Sequence, residues 1–185
     1  MKKLIVALFA VIGMCVSGAW ASGIGVYGTY WKMQGGSEAF DGDGFGGGAK
    51  LKMDLIPELS LEIRGTYYSL KPESNGIDSG GTLEVIPAEA GLTLNIPNRT
   101  KLTPYVGGGA GYFFMNLKPD GGESYSLKNV VGGYGIAGLE FELDQGVCIF
   151  LEAKYTVVSA QDKEEGSPKI KLDGFGACAG LMLKF

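Results

Sequence analysis

The chain has 185 residues, with 16 basic and 20 acidic side chains, 32 glycines and no histidine. This length suits one domain, and an acidic balance without a basic cluster excludes the electrostatic footprint of a nucleic-acid-binding protein. Histidine is the usual general base near neutral pH, so its absence argues against common acid–base catalysis. Nine tyrosines and nine phenylalanines accompany the glycines. This composition is typical of strands and turns rather than helices.

The first part of the chain predicts a cleavable signal peptide over residues 1–21. Two lysines precede a short uncharged apolar run, and Ala19 and Ala21 form a small-x-small cleavage site before Ser22. The run is shorter than the roughly 20 residues that a membrane-spanning helix needs. Without it, the net charge becomes (16 − 2) − 20 = −6. We therefore expect export through the Sec pathway and a single mature domain over residues 22–185.

A period-two alternation of apolar and polar residues recurs through the mature chain and predicts eight β-strands. Their approximate bounds are Ile24–Met33, Phe45–Leu55, Leu59–Leu70, Thr82–Ile96, Leu102–Met115, Lys128–Leu143, Val147–Ser159 and Ile170–Phe185. Long, polar, glycine-rich connections alternate with tight ones along the chain. The long connections are 34–44, 71–81, 116–127 and 160–169, and the tight ones are 56–58, 97–101 and 144–146. This asymmetry predicts an all-β fold, an eight-stranded antiparallel up-and-down transmembrane β-barrel.

The two faces of the predicted strands differ chemically. In the third strand, Leu59, Leu61 and Ile63 alternate with Glu62 and Arg64. The second, sixth and seventh strands repeat this pattern, which lipid outside and a polar interior would explain. A secreted lipocalin-like barrel, with the two faces inverted, is the structural alternative. The long strands and alternating connections favour the membrane barrel, whereas glycines leave the facing of the first strand, the fifth strand and parts of the sixth unassigned.

Charges inside a barrel need partners, because removing them from water is costly. We therefore expect a lumen charge network that fills much of the interior and disfavours a wide aqueous pore. Its expected members are Lys50, Lys52, Glu62, Arg64, Glu89, Glu140, Glu152, Lys154 and Lys184. A catalytic pair of glutamates is the alternative use of the same residues, and it would require strongly shifted pKa values.

Other reactive groups are few, and we expect no metal or cofactor. Cys148 and Cys178 are predicted to face the lumen on neighbouring strands, about 20 Å apart at about 3.4 Å per residue, which favours two free thiols over a disulfide. Two cysteines without histidine make a zinc site improbable. Glu38, Asp41 and Asp43 supply oxygens for a calcium ion, but a solvated turn is favoured, because the spaced ligands of a full calcium loop are absent.

Three stretches resemble a known family. The end of the chain, with Gly180, Leu183 and a final Phe185, resembles the C-terminal signal that the assembly machinery of bacterial outer-membrane barrels reads. The stretches 104–114 (PYVGGGAGYFF) and 133–141 (GYGIAGLEF) resemble consecutive strands of small OmpA-like and OmpX-like barrels and of opacity-type surface proteins. The resemblance implies an outer-membrane location with both termini in the periplasm.

For function, we expect a monomeric, non-enzymatic barrel with a structural or surface-interaction role, binding through its extracellular loops. Expected partners are outer-membrane lipid, lipopolysaccharide, the barrel assembly machinery and a surface ligand. The mixed charges at 161–165, followed by Lys169 and Lys171, suit either solubility or contact with lipopolysaccharide phosphates or a host surface. One alternative is an OmpW-like conduit for small hydrophobic molecules, which needs an apolar channel or a lateral opening. A less favoured alternative is a lipid-modifying barrel enzyme, which the lack of histidine disfavours.

Overall fold

A computed structural model describes residues 23–34, 41–74, 77–78, 81–119, 125–126, 130–144, 146–160, 170–171 and 173–185. The predicted signal peptide and its cleavage site lie outside the described residues. Within the described part of the chain, no helix is long and apolar enough to cross a membrane.

Eight long β-strands form the fold. They are β1 Gly23–Gln34, β2 Asp41–Ile56, β3 Leu59–Ser74, β4 Gly81–Asn95, β5 Leu102–Pro119, β6 Val130–Asp144, β7 Val147–Ala160 and β8 Gly174–Lys184. Three two-residue strands extend this sheet. Ile77–Asp78 pairs with β3, Tyr125–Ser126 with β5 and Ile170–Lys171 with β7.

The sheet closes on itself, because β8 pairs antiparallel with β1 from Gly23 opposite Lys184 to Met33 opposite Gly174. Each of the other strands pairs with its neighbour in the chain. A row of paired residues followed once around the ring starts at Met53 and returns to β2 at Asp43, a shear of 53 − 43 = 10. Such a shear tilts the strands by about 40°. The predicted eight-stranded antiparallel barrel is confirmed.

Six of the eight strands are longer at one end than the alternation predicts, whereas β6 and β8 begin later than predicted there. β2 begins at Asp41 instead of Phe45, and Asp41 pairs with Glu73 near the end of β3. β5 runs to Pro119, whereas Ile170–Lys171 pairs with β7 instead of opening β8. Backbone pairing requires no apolar face, so hydrophobic alternation marks only the part of each strand that faces lipid. We call this extended end the loop end, and the end with the tight turns the turn end.

The outward face is apolar and has an aromatic band towards the loop end. Ring contacts with centroid separations of 5.2, 5.0 and 4.6 Å join Tyr30 to Phe45, Tyr112 to Phe114, and Tyr155 to Phe175. Outward leucines, isoleucines and phenylalanines continue this face to the turn end. Aromatic residues of transmembrane barrels concentrate at the membrane–water interface. The band therefore marks one membrane boundary on the barrel wall.

Candidate functional site

The lumen is the candidate site, and its turn end contains a polar network that crosses the barrel. Lys52 Nζ lies 2.5 Å from Glu140 Oε1, and Lys184 Nζ lies 2.9 Å from the other oxygen of that carboxylate. Lys52 also donates to Asn95 Oδ1 at 3.0 Å, and Asn95 Nδ2 donates to Ser60 Oγ at 2.8 Å. These side chains come from five different strands. The network therefore ties opposite walls together across the turn-end mouth.

A second, more deeply buried cluster occupies the middle of the lumen. Arg64 donates to both oxygens of Glu152, at 2.6 and 3.0 Å, and to Glu62 through Nε at 2.8 Å. Lys50 Nζ lies 3.1 Å from Glu62 and 3.6 Å from Glu152. The Tyr105 hydroxyl donates to Glu152 at 2.9 Å. Two cations therefore balance two carboxylates, with each of the four residues at most 4% exposed.

A third ion pair lies beside the central cluster. Lys154 Nζ contacts the two oxygens of Glu89 at 2.6 and 2.5 Å, and it lies 5.0 Å from the centroid of the Tyr134 ring. The Lys50 ammonium similarly lies 3.8 Å from the centroid of Phe150. Aromatic faces stabilise cations at such distances, most strongly where water is excluded. Each lumen cation thus has a carboxylate partner, and four of the five, Lys50, Lys52, Arg64 and Lys154, also lie near an aromatic ring.

The structure places all nine charges of the expected network in the interior and in ion pairs. Five are cationic and four are anionic, so their sum is +1. Partners for charged groups are the condition for burying them. The arrangement uses every carboxylate in an ion pair, which suits a structural role.

The loop-end half of the lumen is apolar, which the strand pattern did not predict. Its buried side chains are Trp31, Met33, Tyr68, Leu70, Leu83, Val85, Phe113, Met115, Val130 and Val158. Leu70, Val85 and Val158 are 0% exposed, so no water-sized space adjoins them. The rings of Trp31 and Tyr68 pack with their centroids 5.1 Å apart. The described lumen is thus packed along its length, with ion pairs in the middle and towards the turn end and an apolar core towards the loop end.

Inward glycines allow the aromatic side chains to lie across the lumen. A Cβ on Gly138 would lie 2.4 Å from Cζ of Tyr105, and a Cβ on Gly180 would lie 2.7 Å from Cζ of Phe150. These separations are shorter than any ordinary carbon contact. Tyr105 therefore reaches Glu152 only because residue 138 has no side chain. The glycine pattern that obscured the strand phase is the signal that indicates this packing.

Gly138→Val is expected to lower the free energy of unfolding by about 1–3 kcal/mol, because the added carbons displace Tyr105 from its packed position. Urea titration of the refolded barrel in micelles measures the change. Gly133→Val, on the same strand, is the control, since a Cβ there meets its nearest atom, the Gly109 carbonyl oxygen, at 3.7 Å. Equal stability of the two variants would show that the ring packing contributes little.

Cys148 and Cys178 are both free and buried. Cys148 lies opposite Met182 and Cys178 opposite Glu152, an offset of four residues, or about 13 Å along the strands. The predicted separation of about 20 Å was too long, because Val147 pairs with Leu183 instead of with the last residue. The Cys178 Sγ instead contacts a Glu152 oxygen at 3.5 Å.

The remaining predicted residues lie away from the lumen network. Leu183 and Phe185 face outward, 54% and 68% exposed, whereas Gly180 faces inward. Asp43 accepts a hydrogen bond from the Tyr30 hydroxyl at 2.7 Å on the outer wall. Glu38 of the acidic stretch lies outside the described residues. Among the residues that the structure describes, no group of three or more His, Cys, Asp or Glu side chains is arranged to hold a metal ion.

Comparisons with known proteins agree with this architecture. Neisserial surface protein A (NspA) superposes with a TM-score of 0.70 and 14% identity, over 88% of this chain and 96% of that one. OprG from Pseudomonas aeruginosa gives 0.60 and 13%, over 91% and 98%. Ail, the attachment invasion locus protein of Yersinia pestis, gives 0.58 and 16%, over 90% and 99%. These identities are low, so the superpositions show a shared fold.

No curated protein matches the sequence. The family model described as the outer membrane protein beta-barrel domain, in contrast, matches residues 4–185. That match spans nearly the whole chain, including all eight strands and the packed lumen. This protein therefore belongs to the outer membrane protein beta-barrel domain family.

Proposed function

We propose that the protein is a sealed, monomeric and non-enzymatic scaffold of the bacterial outer membrane, which acts through the loops at its loop end. The packed lumen is the observation that supports this role. Ion pairs and apolar side chains occupy the interior that a channel or an internal active site would need. A rigid wall presents loops in fixed positions, and loops of such scaffolds determine what is bound.

The proposed orientation places the turn end in the periplasm and the loop end at the cell surface. Transmembrane barrels have short periplasmic turns and longer external loops, and both described chain ends lie at the turn end. In this proposal a Sec signal peptide over residues 1–21 is removed at Ser22. The assembly machinery then recognises Gly180, Leu183 and Phe185.

A surface-interaction role agrees with the names of two structural neighbours. One is called a surface protein and another an attachment invasion locus protein. The partners that we propose are lipopolysaccharide and a surface ligand contacted by the loops. Such loops carry specificity in their side chains, whereas the barrel beneath them provides only position.

A sealed lumen has a direct electrical test. The refolded protein in a planar lipid bilayer is expected to leave the conductance at the level of the protein-free membrane, because buried ion pairs and apolar side chains occupy the described lumen. A triple variant, Lys52→Ala with Glu140→Ala and Lys184→Ala, removes the ion pairs of the turn-end mouth. Its conductance measures how much of the sealing comes from the central ion-pair cluster and the apolar loop-end half of the lumen. Stable channels from the unaltered protein would contradict the scaffold.

A conduit for small hydrophobic molecules is the second candidate, and one observation favours it. The ladder between β3 and β4 has no pairs for Thr66 and Tyr67, and Pro87 on β4 has no N–H to donate. A break of this kind is the place where a wall could open sideways. Proteoliposomes would decide, since the scaffold predicts the same uptake of hydrophobic solutes as protein-free liposomes and a conduit predicts faster uptake.

A further inference from the structure

The outer wall contains a large apolar groove that the scaffold role does not use. It has a volume of about 740 Å³ and crosses β2, β3, β4 and β5. Small residues form its floor: Gly47, Ala49, Gly65, Ala88, Ala90 and Ala110. They adjoin one another across the strands, since Ala49 pairs with Gly65, Gly65 with Ala88, and Ala90 with Ala110. The wall is therefore locally thin and concave.

Larger side chains line the two sides of this floor. Leu51 and Ile63 form the side towards the turn end, and Tyr67, Ile86 and Tyr112 form the side towards the loop end. The groove is continuous with the apolar surface that faces the bilayer and lies on the turn-end side of the aromatic band. Its occupant is thus in contact with the hydrocarbon region, where apolar chains are the available material.

The dimensions suit one acyl chain. From β2 to β5 the floor crosses three strand spacings, about 14 Å. One leaflet occupies about half of a hydrocarbon core that is about 30 Å thick, so a chain of one leaflet has a similar length. A second barrel fits less well, because its convex wall would meet Tyr67 and Leu51 before it reached the floor.

A polar cluster at the loop-end side of the groove fixes the direction of the lipid. The Tyr67 hydroxyl donates to Glu84 at 2.8 Å, and Lys118 Nζ donates to the same carboxylate oxygen at 2.6 Å. The Lys118 side chain is 52% exposed, and an ammonium has three donors. Lys118 can therefore contact Glu84 and a lipid phosphate together, with the acyl chain running from it into the groove.

We propose that this groove is a binding site for an acyl chain of lipid A, whose phosphate lies against Lys118. The inference rests on the membrane-scaffold role proposed above and on the orientation given there, since that orientation places the cluster in the outer leaflet. It assigns a specific lipid contact to the barrel wall, separate from anything that the loops bind. Bound lipid would also cover the stretch of wall where the β3–β4 ladder is interrupted.

The test uses a pair of matched variants. A Cβ on Gly65 would meet no heavy atom within 4 Å, so Gly65→Leu fills the groove without a clash in the wall. Gly135→Leu is the control, because residue 135 also faces outward, its Cβ would meet its nearest atom at 4.0 Å, and it does not line the groove. Each protein is placed in phosphatidylcholine nanodiscs containing some lipid A. After mild detergent extraction and purification, mass spectrometry counts the lipid A retained per barrel.

We expect the unaltered protein and Gly135→Leu to retain lipid A equally, and Gly65→Leu to retain roughly fivefold less, since only packing contacts are lost. Lys118→Gln should lower the retention of lipid A but not of its dephosphorylated form. If Gly65→Leu folds poorly, Ala110→Leu replaces it, since this variant fills the groove from β5 and should lower the retention of lipid A in the same way.

Equal retention by Gly65→Leu and Gly135→Leu would overturn the site. Displacement of lipid A by an equal amount of phosphatidylglycerol would overturn the choice of lipid A as the occupant. Neither outcome would contradict the proposed scaffold function, provided that the unheated variants keep the altered gel mobility of a folded barrel. A wild-type protein that never shows this mobility would instead overturn the scaffold itself.

Discussion

Replacing Arg64 with methionine is expected to lower the free energy of unfolding by about 3–5 kcal/mol. The guanidinium makes hydrogen bonds to Glu62 and Glu152 in the middle of the lumen, where all three residues are at most 4% exposed. Removing it leaves two buried carboxylates with Lys50 as their remaining cation in that cluster. Urea titration of the refolded barrel, followed by gel mobility and by the fluorescence of buried Trp31, measures the change.

A double variant separates two contributions to the change in the free energy of unfolding, the lost ion pair and the lost side-chain volume. Arg64→Met combined with Glu152→Gln restores the balance of one cation and one carboxylate, so it should be more stable than Arg64→Met alone. The exposed pair of Lys118 and Glu84 provides the contrast, since Lys118→Met should change stability by less than about 1 kcal/mol. If Arg64→Met were as mild as Lys118→Met, the lumen network would not be what holds the barrel closed.

The sequence was most informative where a charge alternates with an aliphatic residue. Glu62 and Arg64 on β3 can face only the interior if Leu61 and Ile63 face lipid, because a charge on the lipid face of a barrel is strongly destabilising. One charged residue thus determines which side chains of its strand face the lumen, because successive side chains alternate between the two faces along the whole strand. All nine expected lumen charges are buried or paired inside for this reason.

The sequence was least informative where a strand is rich in glycine and aromatic residues, as β5 is. Transmembrane barrels use aromatic side chains at the membrane interface and also inside, so Tyr105 and Tyr112 look alike in the sequence. In the structure Tyr105 is 2% exposed and contacts Glu152, whereas Tyr112 is 43% exposed on the outer wall. Tyr105 has room inside the lumen because Gly138 lies opposite it on β6. That pairing depends on the register of the two strands, which alternation alone does not specify.

Which lumen charges form ion pairs with each other depends on how the whole barrel closes. Arg64 and Glu152 are 88 residues apart in the chain and lie on strands that do not pair, and they meet only across the lumen. The shear of the barrel decides which inward residues share a level, and no local pattern encodes it. The same reasoning explains why the separation of Cys148 and Cys178 was overestimated, since a register shift of two residues changes it by about 7 Å.

The packed lumen also changes how the remaining surface should be interpreted. A barrel whose interior is filled has only its outer wall, its turns and its loops with which to bind anything. The wall groove with its Lys118 rim and the loops at the same end would both act at the outer leaflet. Under the proposed function, such a protein would position partners at a membrane surface instead of moving solutes through it.

Replacing Phe185 with aspartate is expected to remove the greater part of the protein from the outer membrane of producing cells while leaving refolding in the test tube nearly unchanged. Phe185 is 68% exposed and follows the last residue of β8, so it contributes little to packing. At the membrane interface, a charged side chain on the wall changes barrel stability by only about 0–1 kcal/mol. A large loss in cells would therefore reflect recognition by the assembly machinery.

Phe175→Asp is the matched control, because Phe175 is also an outward aromatic, 55% exposed, at the opposite end of β8. It loses a ring contact with Tyr155 but leaves the end of the chain unaltered. The measurement is the amount of heat-modifiable protein in isolated outer membranes, beside refolding yields of the same variants in detergent. Equal losses from both variants in cells would attribute the effect to the wall, and normal yield from Phe185→Asp would show that the last residue is not part of an assembly signal.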